Sequence, residues 1–182
     1  EAVYTASTGV IGKQLPIDII TKNVPLLVKE LDVSMNSGTV AAEAIMTTDT
    51  YTKECAVTFN IDGKDITIGG MAKGSGMIHP NMATLIGVVT TDISISKELL
   101  QEALSEDVKH SFNMISVDRD TSTNDSLLIL ANGMADNPEI TEKNEAYSMF
   151  CKALNIVTTN LSKMIAADGE GASVVAKGGA LP

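Results

Sequence analysis

Apolar residues recur at helical spacing through Ile17, Ile20, Val24, Leu27, Val28 and Leu31, which predicts a helix over 16–31 opened by Pro16. Pro25 lies inside that run and is expected to break or split it. A polar segment over 34–38 separates it from a second, Ala-rich helix over 39–46. The pattern then changes period. Residues 55–61 alternate as a strand, Asp62-Gly63 is a hairpin signal, and 65–68 form the return strand. Residues 85–91 are apolar enough for a buried strand, and a turn with Ser96 as cap leads into a helix over 97–112. A strand over 127–131 and the longest helix, 141–167, follow, the helix ending at Asp168-Gly169. At the ends, 1–12 reads as a short strand entering a turn, and a short apolar strand with a Gly-rich tail follows Ala172.

Four polar stretches interrupt this pattern. The first runs from Met71 to Thr84 between two strand-like segments. Gly74, Ser75, Gly76 and Pro80 exclude a regular element there, so Lys73, His79, Asn81 and Thr84 sit on a loop between rigid flanks, where chemistry tends to be placed. The second is Ser7-Thr8-Gly9, where a hydroxyl beside a Gly N–H could serve a developing oxyanion. The same residues also make an ordinary strand-end turn. The third is 118–125, dense in Asp, Ser, Thr and Asn. Its carboxylates lack the Gly of a calcium loop, and it reads as a hydrogen-bonded turn bordering a site. Thr47-Thr48-Asp49-Thr50 could cap a helix, bind a ligand or form a turn.

Composition narrows the choices. Over 182 residues, 44% are hydrophobic and only 3% aromatic, with no Trp and nine Met. The core must therefore be aliphatic, and base-stacking platforms are disfavoured. Thirteen basic against 23 acidic residues give a net charge of -10, which repels phosphate backbones and anionic lipid. No nucleic-acid or membrane partner is expected, and no apolar run reaches the length of a membrane span. Cys55 and Cys151 lie far apart without a CxxC or a Cys/His cluster, so no metal site is expected and both read as reduced thiols. The chain starts at Glu1 without a Met and reads as a processed or excised piece, incomplete at both ends.

Reaction templates divide sharply. A phosphate-binding P-loop fails because Lys73 precedes the glycines and no Gly-Lys-Ser/Thr ending follows. A Ser-His-Asp hydrolase finds only His79 and His110 and no Gly-x-Ser-x-Gly elbow. A threonine nucleophile served by its own α-amine is permitted at Thr84, provided the peptide after Ala83 is cut. The freed amine, with a pKa of roughly 7.7–8.0, would be a usable base near neutral pH. The physics of the residues permits this chemistry without selecting it.

The segment from Lys73 to Thr84 (KGSGMIHPNMAT) resembles the self-cleavage segment of the bifunctional ornithine acetyltransferase (glutamate N-acetyltransferase) family. Further blocks agree in family order. They are Ser7-Thr8-Gly9-Val10-Ile11-Gly12, Ala44-Ile45-Met46-Thr47-Thr48-Asp49-Thr50, Val117-Asp118 with Asp120 to Asp125, and Asp168-Gly169-Glu170-Gly171-Ala172. Together they span nearly the whole chain, far beyond one short motif.

The resemblance implies an α/β fold of layered sheets and helices, shared with self-processing β-aminopeptidases. It implies self-cleavage between Ala83 and Thr84. Residues 1–83 would then be the C-terminal part of an α subunit, and 84–182 the N-terminal part of a β subunit beginning at the nucleophile. Thr84 would take the acetyl group from N-acetylornithine as an ester and pass it to glutamate, in arginine biosynthesis. Thr8 and Gly9 match the oxyanion-hole pair. Thr47, Lys73 and Glu170 match substrate-binding positions alongside Thr84. No cofactor is implied, although acetyl-CoA is a co-substrate in some members. The assembly implied is α2β2, and the compartment is the cytoplasm, or the mitochondrial matrix in a eukaryote. The family also places an Asn and a Ser contact near its C-terminus, beyond this chain, and the stretch 173–182 departs from its pattern. Two other readings stay open: a self-processing amide hydrolase of the same fold, and an inactive fragment that only binds ornithine or glutamate derivatives.

Overall fold

A computed structural model describes residues 4–8, 10, 12–78, 85–120 and 122–169. The chain order is α1 (Ile17–Lys29), α2 (Met35–Ala44), β1 (Lys53–Ile61), β2 (Lys64–Lys73), β3 (Ile86–Thr91), α3 (Lys97–Asp107), β4 (Ser126–Ala131) and α4 (Glu145–Ala167). The strands form one sheet in the order β1-β2-β3-β4. β1/β2 and β2/β3 are antiparallel, and β3/β4 is parallel, the connection between the last two carrying α3. This is the mixed α/β architecture expected.

The sheet separates two unequal faces. Ile66, Ile68, Gly70 and Ala72 of β2 share the parity that faces α4, as do Val89 of β3 and Ile61 of β1. α4 lays Phe150, Leu154, Val157, Leu161 and Ile165 against them, all inaccessible to solvent. These residues recur every three or four positions, so one stripe of the helix is buried. Burying each such side chain stabilises by roughly 1.5–3 kcal/mol. Gly70 is required by this contact: a Cβ there would lie 2.9 Å from Val157 Cγ1 and 3.0 Å from Leu161 Cδ1. On the other face α2 approaches β1 through Thr39 Oγ1, which donates to Glu54 Oε2 at 3.1 Å.

Several boundaries differ from the sequence expectation. The helix α1 runs unbroken through Pro25. Proline removes one intrahelical donor, but α1 buries none of its residues, so the freed carbonyl is not trapped in the core. α2 begins at Met35, four residues earlier than expected, because the Ser34 side chain accepts the Ser37 N–H and caps it. The return strand β2 extends to Lys73, so Met71 and Lys73 lie on the ladder, with Lys73 opposite Ile86. α3 stops at Asp107 and passes into short 3-10 turns over Val108–His110 and Phe112–Met114. α4 starts at Glu145, where the Asn144 side chain accepts the Tyr147 N–H, rather than at Thr141. The N-terminal strand is not formed over 4–8, where Tyr4 is exposed and one hydrogen bond, from Asn124 Nδ2 to Ser7 O at 3.1 Å, ties the segment to the body. The strand expected after Ala172 lies outside the described residues.

Gly70→Val would force branched carbons into the α4 stripe. Overpacking of this kind costs about 1–3 kcal/mol, and equilibrium urea unfolding should show a lower midpoint with an unchanged slope.

Candidate functional site

The polar centre of the molecule lies where β2 ends and β3 and β4 begin. The register places Lys73 level with Ile86, and Ile86 level with Ser126. Lys73, Leu85 and Asp125 are therefore neighbours at one end of the sheet.

The segment 47–50 grips the end of β2 residue by residue. Lys73 Nζ donates to Thr47 Oγ1 at 3.3 Å, Gly74 N donates to Asp49 Oδ1 at 2.6 Å, and the Thr48 and Ser75 hydroxyls are 2.6 Å apart. Gly74 has φ +151°, a backbone state that favours glycine and that turns the chain off the strand here. Asp49 also accepts the Thr47 N–H at 3.1 Å.

Behind this grip sits a buried ion cluster. Lys53 Nζ lies 2.6 Å from Asp49 Oδ1 and 2.6 Å from Asp168 Oδ2, and the Lys53 and Asp49 side chains are wholly inaccessible. Asp168 caps the end of α4 and accepts from Thr50 N at 3.0 Å and from the Thr50 hydroxyl. The Lys53 ammonium also stands 4.9 Å from the centre of the Tyr51 ring. Burial pushes Asp49 up, but the Gly74 N–H, Lys53 and the Thr47 N–H outweigh it and hold the carboxyl below its ordinary range. Burial likewise pushes Asp168 up, and Lys53 and Thr50 pull it below.

The polar loop 118–125 holds both flanks of the segment 79–84, which lies outside the described residues. Asp118 accepts the Met77 N–H and, at 2.9 Å, the Ile78 N–H; Asp125 Oδ1 accepts the Leu85 N–H at 2.7 Å. Met77 has φ +57°, uncommon for a residue with a side chain, and its amide is one that Asp118 holds. Burial pushes Asp125 up, against the Leu85 N–H and Lys73. Lys73 is 2% exposed; burial pushes its ammonium down from the ordinary 10.5, the fields of Asp49 and Asp125 oppose this, and Lys53 adds to it. Among the described residues Lys73 forms no ion pair, and its hydrogen bond is the one to Thr47. A buried ammonium with three donors, one of them used on the Thr47 hydroxyl, is suited to an anionic ligand.

Of the residues singled out from the sequence, Thr47 and Lys73 are thus in contact. Thr8 lies in a separate cleft of about 470 Å³ with Thr123 and Asn124, joined to the polar loop by the Asn124–Ser7 hydrogen bond. Gly9, Ala83, Thr84 and Glu170 lie outside the described residues. Lys53 and Asp125 were missed as site residues. Lys53 was nonetheless readable: it shares the strand parity of Cys55, Val57, Phe59 and Ile61, which places a charge on the core face. Asp125 had no local signal, since its partners come from strand register. A larger cleft, about 590 Å³, lies between α2 and the outer face of the sheet, with Glu54 as its one charged lining residue, and it lacks comparable chemistry. Cys55 and Cys151 are free thiols. Among the described residues no helix is long and apolar enough to cross a membrane, and no group of three His, Cys, Asp or Glu side chains could hold a metal ion.

A deep ionic grip, a strand end turned by glycine and two acidic clamps on the residues either side of 79–84 define a site-bearing α/β protein. Comparison with known proteins then gives the family. Residues 1–177 match the model of the ArgJ family. The chain is 57% identical over 170 residues to the "Arginine biosynthesis bifunctional protein ArgJ" of Dehalococcoides mccartyi, covering 93% of this chain and 41% of that protein. It is 50% identical over 173 residues to the protein of the same name from Caldanaerobacter subterraneus subsp. tengcongensis, covering 95% and 42%. The crystal structure of the arginine biosynthesis bifunctional protein argJ from Bacillus halodurans aligns with a TM-score of 0.45 and 45% identity, over 47% of this chain and 40% of that one. The chain belongs to the ArgJ family. It spans about two fifths of the length of the curated relatives it matches.

The three strongly held carboxylates set the acid limb of stability. Asp49, Asp118 and Asp168 all lie below the ordinary 3.8, so their contribution is complete above that value and is lost as pH falls through the lower folded-state values. Asp125, raised, acts oppositely: its contribution is full below 3.8 and is lost as pH rises through its folded-state value. Acid unfolding followed by circular dichroism should begin only below about pH 4; a midpoint near pH 6 would contradict this balance.

Proposed function

We propose that the protein of which this chain forms part transfers an acetyl group from N-acetylornithine to glutamate through an acetyl-Thr84 intermediate. The observation that carries this reading is family membership combined with Lys73, a buried ammonium placed beside the Thr47 hydroxyl and suited to a substrate carboxylate. In the proposed sequence Thr84 Oγ first attacks the Ala83 carbonyl, the acyl group shifts from nitrogen to oxygen, and water hydrolyses the resulting ester to leave an Ala83 carboxylate and a free Thr84 α-amine. The freed α-amine of Thr84 takes the hydroxyl proton as Oγ attacks the acetyl carbonyl. The amide C–N bond breaks and ornithine leaves with that proton. The glutamate amine then attacks the ester, Thr84 Oγ departs and is reprotonated, and N-acetylglutamate is released. Thr8 and Gly9 would donate to the oxyanion, and Glu170 would meet the substrate ammonium. An assay with acetyl-CoA in place of N-acetylornithine tests for a second donor. No cofactor is invoked.

On this reading residues 1–83 end the α piece and 84–182 begin the β piece. The pairing of Ile68–Lys73 with Ile86–Thr91, together with the packing of α4 on β1 and β2, would hold the two pieces together after the cut. The proposed assembly is α2β2, in the cytoplasm.

Three results test the proposal on the whole gene product. Intact mass under denaturing conditions should give two polypeptides, the second beginning at Thr84, while native chromatography keeps them together. Thr84→Ala should leave one uncut chain without acetyl transfer; retained activity in that variant would sink the assignment. Lys73→Met in the processed protein should raise KM for glutamate by roughly tenfold to a hundredfold, the worth of a hydrogen bond to a charged group. Release of free acetate without need of glutamate would instead identify an amide hydrolase.

A further inference from the structure

The ion cluster has an unbalanced charge. Asp49 and Asp168 carry two negative charges and Lys53 one positive, all withdrawn from solvent, so the trio is left with one net negative charge. Lys73 supplies a second buried ammonium beside it. Asp49 is the member that connects the two. Its carboxylate takes the Gly74 N–H at 2.6 Å and the Thr47 N–H at 3.1 Å, the amides adjoining Lys73 and belonging to Thr47 itself.

We infer that Asp49 is a positioning residue for the substrate carboxylate: by accepting the Thr47 N–H and the N–H of the Lys73–Gly74 peptide, it sets where the Thr47 hydroxyl and the Lys73 ammonium stand. This rests on Thr47 and Lys73 binding substrate, as proposed above. The alternatives for its role are weaker. A plain helix or turn cap would need no buried cation beside it, and Lys53 already has Asp168 as a partner. The charged groups that face Lys73 come from three elements. Asp49 comes from the 47–50 segment, Asp125 from the polar loop, and Lys53 from β1, the last repelling it. Removing the charge of Asp49 leaves Asp125 as the carboxylate acting on Lys73 among the described residues and strengthens the relative effect of burial, which disfavours the ammonium. The ammonium then loses its proton at lower pH, and with it the attraction for an anionic substrate.

Asp49→Asn in the processed whole gene product is the test. Asn retains an oxygen for the Gly74 N–H, and Asp168 continues to neutralise Lys53, so the variant is expected to fold. KM for glutamate should rise roughly tenfold while kcat changes by less than about threefold, and the alkaline limb of kcat/KM for glutamate should move to lower pH. An unmoved pH profile and KM, with only a lower melting temperature, would overturn the inference and leave Asp49 a structural residue. Should the variant not accumulate, Asp49→Glu, which keeps the negative charge but moves the acceptor oxygens relative to the Gly74 and Thr47 amides, is measured in the same way. A raised KM for glutamate in that variant supports the inference, and an unchanged KM overturns it. Absence of acetyl transfer in the unsubstituted protein would instead sink the parent reading, which separates the two failures.

Discussion

Lys53 between Asp49 and Asp168 is the contact on which the functional end of this molecule depends. It joins the first residue of β1, the loop after α2 and the last turn of α4 at one inaccessible point. Each partner has a second task. Asp49 holds the backbone at Thr47 and Gly74, and Asp168 holds the backbone and hydroxyl of Thr50. The apolar contact of α4 on the sheet supplies most of the burial, but it does not by itself decide where the loop ends point. Directional bonds to charged groups do that.

Such an arrangement is a poor way to gain stability alone. Desolvating three charges costs several kcal/mol per ion, and well-packed apolar residues of similar volume often serve as well or better. What the ions add here is specific connection: Asp49 Oδ1 joins Lys53 to the Gly74 amide, Asp49 Oδ2 fixes the Thr47 amide of its own segment, and both oxygens of Asp168 are bonded to Thr50 or Lys53. The acidic clamps of the polar loop extend the same logic. Asp118 and Asp125 hold the amides of Met77, Ile78 and Leu85, so both flanks of the segment 79–84 are anchored to one loop.

Much of the fold could be read from the sequence because periodicity records burial. The β1/β2 hairpin, β3, β4 and the long α4 all declare themselves through alternation, the Asp62-Gly63 turn or a helical stripe. The errors fell where another local rule competed. Ser34 capped α2 earlier than its alanines suggested, and exposed Pro25 did not break α1. Asn144 delayed the start of α4. Residues 4–8 carried a strand-like pattern, yet those residues do not join the sheet. For the site, Thr47 and Lys73 were recognisable through the motif, and the structure places them in contact. Lys53 shows its burial through strand parity, but its pairing with Asp168 across 115 residues, and the place of Asp125 set by strand register, are held in no local window.

That separation also orders events in time. Lys53 and Asp168 are 115 positions apart, so a growing chain presents the lysine long before its second carboxylate exists. Until α4 has been made and has docked, Thr50 lacks its acceptor and the charges around Asp49 are incomplete. Closing so long a loop is entropically costly and comes late relative to the β1/β2 hairpin, which needs only the turn at Asp62-Gly63. The ends of the 79–84 segment are likewise held by a loop made 40 residues later. The polar end of the sheet is therefore finished last, and its full geometry reports that the rest of this chain has already been assembled.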